Sequence, residues 1–205
     1  MVTTTALYNK SYEITFIMLV CITVLTFMRS IRSDLSQKSS LSLQLSSFVT
    51  MIASMHYYLM IQNKDNVHVY RYFDWFFTTP ILLIDLCLLL DIYDPIFIFE
   101  LIFYNTIMLG VGFAGELGYI GLLPSTIVGF VPLGIMFARL RDRLMKQNPT
   151  KRQIDLLNVF FGLWSLYGVN NLVTNRTFSN TVFNGLDFLT KGAFGLYIYA
   201  ASFSS

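Results

Sequence analysis

Seven apolar segments follow one another along the chain, and each is close to the length that crosses a lipid bilayer. Short polar connections separate them and leave no room for a soluble domain; the segments cover residues 11–31, 40–62, 69–91, 95–114, 118–140, 153–174 and 180–203. A helix that spans the hydrocarbon core of a bilayer requires about 20 apolar residues. The sequence therefore predicts an all-α integral membrane protein, in which residues 1–205 form a single seven-helix domain.

Composition supports this fold, and the placement of basic residues predicts its orientation. Hydrophobic residues make up 55% of the chain and charged residues 13%, which is too apolar for a soluble domain of this length. The first, third and fifth connections hold nine basic residues, against three on the other side: Arg29, Arg32, Lys38, Arg139, Arg141, Arg143, Lys146, Lys151 and Arg152 against Lys10, Lys64 and Arg176. The positive-inside rule then predicts an outside N-terminus and a cytoplasmic C-terminus.

The third segment carries charged side chains within an aromatic and apolar run. Arg71, Asp74, Thr78 and Asp85 fall on one face of an α-helix, since their spacings are 3, 4 and 7 residues. Lipid cannot solvate such groups, so they are expected to face the protein interior or a water-filled path. Pairing at helix ends is an alternative for Arg71 and Asp85, but Asp74 has helix on both sides. The spacing therefore predicts a row of protonatable groups on one helix face, in which Asp74 and Asp85 lie roughly 16 Å apart along the helix axis.

The seventh segment holds a lysine in apolar surroundings. Asp187 and Lys191 are i,i+4 neighbours on one helix face. A free ammonium is costly there, and burial favours the neutral, nucleophilic amine, which is able to form a Schiff base with an aldehyde. A salt bridge within the helix is the alternative interpretation.

Other positions fit a ligand enclosed by the bundle, although each has an ordinary structural interpretation as well. A histidine at the depth of His56 requires a partner, and a satisfied core histidine is the usual case. The glycines of the fourth segment, Gly110 and Gly112, permit either close helix packing or close approach of a ligand. Trp164 and Tyr167 share a helix face, a pattern that is most often part of a core.

The sequence resembles the microbial (type I) rhodopsins, seven-helix proteins that bind retinal, over essentially its whole length. The third segment is similar to the third helix of bacteriorhodopsin-type proton pumps in the run Arg71-Tyr72-x-Asp74-Trp75-x-x-Thr78-Thr79-Pro80, followed by Asp85. Asp187-x-x-x-Lys191 is similar to their retinal-attachment helix, and His56 is similar in context to the helix-two histidine of proteorhodopsins. The short chain and loops resemble those of small viral rhodopsins, and the location that the resemblance implies is a plasma or host-cell membrane.

The resemblance implies a cofactor and a role for each charged residue. All-trans retinal would be bound to Lys191 as a covalent Schiff base, with Asp74 and Asp187 as counterions and Arg71 balancing their charge. Asp74 would accept a proton after light absorption, and Asp85 would return one from the cytoplasmic side. The other implied site residues are Thr78 and His56, which assist Asp74, and a retinal pocket of Trp75, Thr79, Leu82, Asn105, Met108, Gly112, Trp164 and Tyr167.

Several positions depart from the family pattern. Gly168 stands where a proline is expected after the helix-six tyrosine, and Asn171 stands where a tryptophan is expected. That side of the ring pocket is therefore predicted to be looser and more polar. The extracellular glutamate pair of the bacterial pump is also missing, which leaves Glu13, Glu116 or direct transfer to water for proton release.

These features favour a light-driven protein that moves protons outward and has no enzymatic activity. The alternative is a light-gated cation channel, because polar side chains offer a hydrated path: Glu13, Gln44, Ser46, Ser47, Thr50, Ser54, Asn170, Asn171 and Asn184. A sensory photoreceptor is the third interpretation. The expected partners are the lipid bilayer, the transported proton and further copies of the chain in a trimer or pentamer, and no nucleic acid is expected.

Overall fold

The computed structural model describes residues 2–203, with side chains from Tyr8 onward, and all secondary structure in that range is helical. The helices are α1 (Val2–Ser30), α2 (Gln37–Gln62), α3 (Val67–Leu89), α4 (Pro95–Glu116), α5 (Leu122–Met145), α6 (Lys151–Asn171) and α7 (Arg176–Asp187), which continues as a π-helical turn (Phe188–Ala193) and α8 (Phe194–Ala201). A 3-10 turn at Lys64–Asn66 leads into α3. Because α7, the π-helical turn and α8 follow without a break, the predicted all-α fold of seven helices is confirmed. Residues 1, 204 and 205 of the predicted domain lie outside the described range.

Local capping and turn chemistry set the helix boundaries. Ser36 begins α2 by accepting a hydrogen bond from a backbone N–H of the first turn, and Thr150 begins α6 in a reciprocal capping box with Gln153. The fifth helix was predicted to begin at residue 118, but α5 begins at Leu122. The reason is that Gly118 adopts a φ of 80°, which a right-handed helix cannot include.

Four helices in the described part of the chain are long and apolar enough to cross a membrane: Tyr8–Ser30, Lys64–Leu89, Pro95–Glu116 and Leu122–Met145. The other predicted spans are more polar, and α2 in particular is rich in serine. Its hydroxyl side chains are buried rather than exposed at Ser42, Ser46, Ser47, Thr50 and Ser54. Burial within protein is what such groups require in a bilayer, because lipid offers them no hydrogen bonds.

One compact unit comprises the chain up to Leu82 together with the chain from Asn175 onward. In this unit α1 packs against α2, α7 and α8. Its apolar core includes Tyr12 and Leu19 of α1 and Tyr57 of α2, all of them fully buried. Two of these core residues are tyrosines, and their hydroxyl groups accept contacts from the buried Arg71 guanidinium.

Arg29 joins the end of α1 to the end of α8 in the same unit. Its guanidinium donates to the hydroxyl of Ser202 at 3.0 Å and to the Ser202 carbonyl at 2.8 Å, and it lies 4.3 Å from the ring centre of Phe203. It also donates to both carboxylate oxygens of Asp34, in the connection after α1, at 2.8 and 3.0 Å. These bonds hold the pKa of Asp34 below its usual range, because they favour the charged carboxylate.

The other compact unit comprises residues 83–174, in which α5 packs against both α4 and α6. The helices α4 and α5 approach closely at Gly115, where a Cβ atom would lie 2.0 Å from the hydroxyl oxygen of Ser125. Trp164 of α6 packs edge-on against Phe137 of α5, with ring centres 5.7 Å apart. Each unit thus has helix packing of its own, and the single domain stays a prediction.

Candidate functional site

Lys191 lies in the π-helical turn and is buried, with 1% of its surface exposed. Its ammonium group donates to Oδ1 of Asp187 at 2.9 Å and to Oδ2 of Asp74. The next residue, Gly192, permits tight packing around this point, since a Cβ atom there would lie 2.9 Å from the ring of Phe188. A π-helical turn inside an α-helix frequently marks a functional site. The structure therefore brings together the lysine and both carboxylates that the sequence analysis selected.

Asp187 is surrounded by hydrogen-bond donors. Besides Lys191, the Tyr57 hydroxyl donates to its Oδ2 at 2.8 Å, the Arg71 guanidinium to the same oxygen at 3.0 Å, and the Trp75 indole N–H to Oδ1 at 3.1 Å. Both oxygens accept at least two bonds, and donors of this kind stabilise the charged form of a carboxylate. Asp187 is consequently held in place by residues from α2, α3 and the π-helical turn.

Asp74 has much sparser surroundings, although it is fully buried. Its Oδ2 accepts the hydrogen bond from Lys191, whereas its buried Oδ1 has no hydrogen-bond partner among the described residues. The His56 ring approaches this oxygen, with its Nδ1 4.0 Å from Oδ1 and 2.9 Å from the backbone oxygen of Ile52. Thr78 donates to the Asp74 backbone oxygen at 2.7 Å, and not to the carboxylate.

Arg71 is fixed from several sides at the end of this cluster. In addition to Asp187, its guanidinium donates to the amide oxygen of Asn184 at 2.8 Å and to the Tyr57 hydroxyl at 3.4 Å. A longer contact of 3.5 Å reaches the hydroxyl of Tyr12 on α1. The guanidinium is therefore bound to three other helices of its unit, and it has little freedom to move without breaking several hydrogen bonds.

The buried charges of this cluster balance. Arg71 and Lys191 contribute two positive charges, and Asp74 and Asp187 contribute two negative charges, all within a few ångströms and almost inaccessible to solvent. An unpaired charge in such a site would be strongly destabilising, whereas a compensated set is tolerated. We refer to these four residues as the buried charge cluster.

Three residues of the site were not selected as site residues from the sequence. Tyr12 and Tyr57 carried no signal, because a lone tyrosine in an apolar helix is ordinary core. Asn184 was assigned only to the channel alternative, yet it precedes Asp187 by three residues and Lys191 by seven, which places it on the same helix face. That spacing was a signal that would have included it.

The remaining predicted residues of this unit lie along α3. Trp75 contacts Asp187 as described, and Thr79 donates to the Trp75 backbone oxygen at 2.7 Å. Leu82 is buried, with 1% of its surface exposed. These positions follow the same stretch of helix as Asp74, and their contact with a retinal molecule stays a prediction.

The other predicted site residues belong to the second unit. Asp85 and Asn105 are fully buried, and Trp164 is buried between the rings of Phe137 and Phe160. Three more predicted pocket residues are partly buried: Met108, Gly112 and Tyr167. That these residues line a retinal pocket remains a prediction.

Local packing in the second unit accounts for both departures from the helix-six pattern. At Gly168, a Cβ atom would lie 2.7 Å from the Phe130 ring, so the glycine leaves room for this ring. The Asn171 amide donates to the Thr126 hydroxyl of α5 at 3.3 Å. At these two positions α6 contacts α5 through the Phe130 ring and through the hydrogen bond that Asn171 donates.

The chain is similar to known proteins both in sequence and in structure. The chain is 27% identical to the blue-light absorbing proteorhodopsin of Gamma-proteobacterium Hot 75m4 over 192 residues, 82% of this chain and 76% of that protein. It is 32% identical to the bacteriorhodopsin of Halobacterium salinarum over 143 residues, 62% of this chain and 54% of that protein. The crystal structure of viral rhodopsin OLPVRII matches with a TM-score of 0.87 and 27% identity, over 95% of this chain and 96% of that chain.

The family assignment extends over almost the whole sequence. The profile of the bacteriorhodopsin-like proteins matches residues 8–205. With its apolar helices and these relatives, the chain is a multi-pass integral membrane protein. It belongs to the bacteriorhodopsin-like family, the microbial type I rhodopsins.

Proposed function

We propose that this protein is a light-driven pump that moves protons outward across its membrane. The observation that carries the proposal is the contrast within the buried charge cluster. Asp74 touches the Lys191 ammonium with one oxygen and has a second, buried oxygen that accepts no hydrogen bond among the described residues. A carboxylate oxygen that accepts no hydrogen bond from the described residues, beside a cationic nitrogen, is able to receive a proton without displacing a protein donor.

The rhodopsin family implies a retinal chromophore on a lysine, and Lys191 fits that group. Within residues 8–203 it is the only lysine whose side chain is buried. Two carboxylates adjoin its nitrogen and would compensate the positive charge that a covalently attached retinal keeps on this atom. We infer that all-trans retinal binds at Lys191 Nζ, where it supplies light absorption and a light-driven change of shape.

We assign the polar groups near Lys191 separate roles in moving the proton. Asp74 takes the proton from Lys191 Nζ on the carboxylate, with Thr78 fixing the Asp74 backbone one helical turn away. Asp187 stays ionised, because protonation would set a proton against the donors from Tyr57 and Arg71. Asp187 thereby keeps one negative charge beside Lys191 throughout.

Asp85 is the proposed donor of the replacement proton. It is fully buried and lies eleven residues after Asp74 on α3. Burial disfavours the ionised form of a carboxyl group, so the neutral acid is the form we expect at Asp85 before it gives up its proton. The predicted orientation of α3 puts Asp85 on the cytoplasmic side of Asp74, which sets the outward direction.

Illumination of intact cells tests the pump. Cells that express the protein and are supplied with all-trans retinal should become coloured and should acidify the medium in light, and an uncoupler should abolish the acidification. The matched control is Lys191→Ala, which should give neither colour nor acidification. Coloured cells that alkalinise the medium would contradict the direction, and coloured cells without any pH change would contradict the pump.

A light-gated cation channel is the second candidate, because one specific observation favours it. Five hydroxyl side chains of α2 are buried within the first unit, and Ser46 Oγ has no hydrogen-bond partner among the described residues. A row of buried hydroxyl groups is able to line a hydrated path for cations. Voltage-clamp recording separates the two functions: a photocurrent that reverses with the cation gradient indicates a channel, and one that stays outward at all voltages indicates a pump.

The proposed partners are the lipid bilayer and the transported proton. Assembly into a trimer or pentamer also remains a proposal, supported by resemblance to the family. Native mass spectrometry of the coloured protein in detergent would decide it, since each assembly gives a distinct mass.

A further inference from the structure

The first turns of α1 that carry described side chains contact the buried charge cluster at Arg71. Tyr12 is fully buried, and its hydroxyl accepts the contact from the Arg71 guanidinium at 3.5 Å. The same hydroxyl donates to the hydroxyl of Tyr8 at 3.3 Å. Tyr8 lies one helical turn nearer the N-terminus and is partly exposed. The two tyrosines therefore connect the buried arginine with solvent through oxygen atoms that both donate and accept.

Lys64 covers this pair from the 3-10 turn before α3. Its ammonium lies 4.0 Å from the centre of the Tyr12 ring and 5.7 Å from that of Tyr8, which are cation–π distances. The two rings are themselves edge-to-face, with centres 5.1 Å apart. The cation thus holds both rings in the arrangement that brings their hydroxyl groups together.

A second connection to α1 does not continue to solvent. The Asn184 amide donates to the Ser11 hydroxyl at 2.9 Å, and this hydroxyl in turn donates to the backbone oxygen of Tyr8 at 2.7 Å. A backbone oxygen has no proton to pass on, so this route ends there. Glu13, which the sequence offered as a release group, is exposed, and its charge acts on Lys64.

We propose that the Tyr12 hydroxyl is the exit relay for protons that leave the buried charge cluster, and that Lys64 is a positioning residue for this relay. This inference rests on the proposed pump function. A proton carried by water at Arg71 adds to the Tyr12 oxygen while the Tyr12 hydroxyl proton passes to Tyr8, and Tyr8 releases its own proton to bulk water. One proton moves outward, and both tyrosines end with the protons they began with.

The test is proton release after a single flash, followed with a pH-sensitive dye in the medium beside the recovery of the pigment's colour. Tyr12→Phe keeps the ring and the cation–π contact but removes the relay oxygen. It should delay release about tenfold or more, while the pigment keeps its absorption maximum. The matched control is Tyr58→Phe, a half-exposed tyrosine of α2, which should release protons at the original rate. Release from Tyr12→Phe as fast as from Tyr58→Phe would overturn the proposal.

Lys64 is tested by substitutions that separate charge from bulk. Lys64→Met should delay release roughly threefold, and Lys64→Arg should restore it, because arginine also stacks on aromatic rings. Equal release times in both variants and the original protein would remove Lys64 from this role. If Tyr12→Phe fails to fold, Tyr8→Phe tests the same relay at a partly exposed position and should delay release as well. Absence of light-driven acidification in the original protein would instead contradict the pump itself.

Discussion

Asp187 and Asp74 lie beside the same Lys191 nitrogen, but their surroundings differ. Asp187 accepts hydrogen bonds from Tyr57, Arg71 and Trp75 as well as from Lys191. Asp74 accepts one from Lys191 alone among the described residues, and its second oxygen is buried without a donor. The two side chains are chemically identical, but protonation has different consequences: at Asp187 it displaces protein donors, and at Asp74 Oδ1 it displaces none among the described residues.

Because their contacts differ, we expect Asp187 to contribute mainly to stability and Asp74 mainly to proton transfer. Donors to Asp187 come from α2, α3 and the π-helical turn, so this carboxylate joins the helices of the first unit. Asp74 joins only α3 and the π-helical turn through its carboxylate. We therefore expect substitutions around Asp187 to affect folding most, and substitutions at Asp74 to affect proton transfer most.

Asp187→Asn should have the largest effect of all. It leaves the buried Arg71 and Lys191 with a single carboxylate between them, and breaking a buried ion pair costs about 3–5 kcal/mol. Thermal unfolding in detergent, followed by circular dichroism, measures the loss. A stability equal to that of Asp74→Asn would show that the two carboxylates are equivalent, contrary to the comparison.

Asp74→Asn should lower light-driven acidification about 100-fold or more, since it removes the proposed acceptor. It also leaves Arg71 and Lys191 with a single carboxylate, so it should lower stability as well, but less than Asp187→Asn, because Asp74 accepts one hydrogen bond from the described residues and Asp187 accepts at least four. External pH under illumination and thermal unfolding give the two values. Asp142→Asn, at an exposed acid of α5, is the control and should leave both unchanged, whereas persistent acidification by Asp74→Asn would assign the acceptor elsewhere.

Tyr57→Phe tests one donor to Asp187 without changing any charge. The shortest hydrogen bond lost ends on the Asp187 carboxylate, and such bonds contribute about 1.5–3 kcal/mol. The longer contacts of the same hydroxyl with Asn184 and Arg71 are lost with it. The neighbouring substitution Tyr58→Phe removes a hydroxyl from a half-exposed ring and should stay within about 0.5 kcal/mol of the original stability. Equal unfolding temperatures for the two variants would show that the Tyr57 bond adds nothing.

His56→Gln should have the smallest effect on stability, about 0.5–1.5 kcal/mol, because it changes one hydrogen bond, that between the ring Nδ1 and the Ile52 backbone oxygen. The distance of 4.0 Å between His56 Nδ1 and Asp74 Oδ1 is too long for a hydrogen bond. A loss of stability comparable with that of Tyr57→Phe would mean that His56 belongs to the cluster as firmly as Tyr57 does, and Asp74 would then be less open than the structure indicates.

Helix periodicity was sufficient to find much of the charge cluster. The spacings on α3 and helix seven put Arg71, Asp74, Asp187 and Lys191 on inward faces, because lipid excludes charged groups from the outside. The number of helices followed from apolar length in the same way. Both inferences depend only on local sequence, which is why they succeeded.

Helix periodicity could not predict contacts between parts of the chain that are distant in sequence. Tyr12 and Tyr57 reach the cluster through the packing of α1 and α2, and nothing in their own segments distinguishes them from core tyrosines. The difference between Asp74 and Asp187 likewise depends on donors far away in sequence. At Gly168 the sequence indicated a looser pocket, whereas a ring from α5 lies close to this glycine.

The π-helical turn has a consequence for the whole C-terminal end. Its hydrogen bonds run from residue i to i+5, so it holds one more residue than an α-helical turn. The side chains from Phe194 to Phe203 are thereby rotated by about 100° from the direction that an uninterrupted α-helix would give them. Deleting one residue of the turn would undo this rotation and carry Ser202 away from the guanidinium of Arg29, to which its carbonyl now lies at 2.8 Å. The extra residue in the turn that contains Lys191 thus also sets the direction of the side chains of α8.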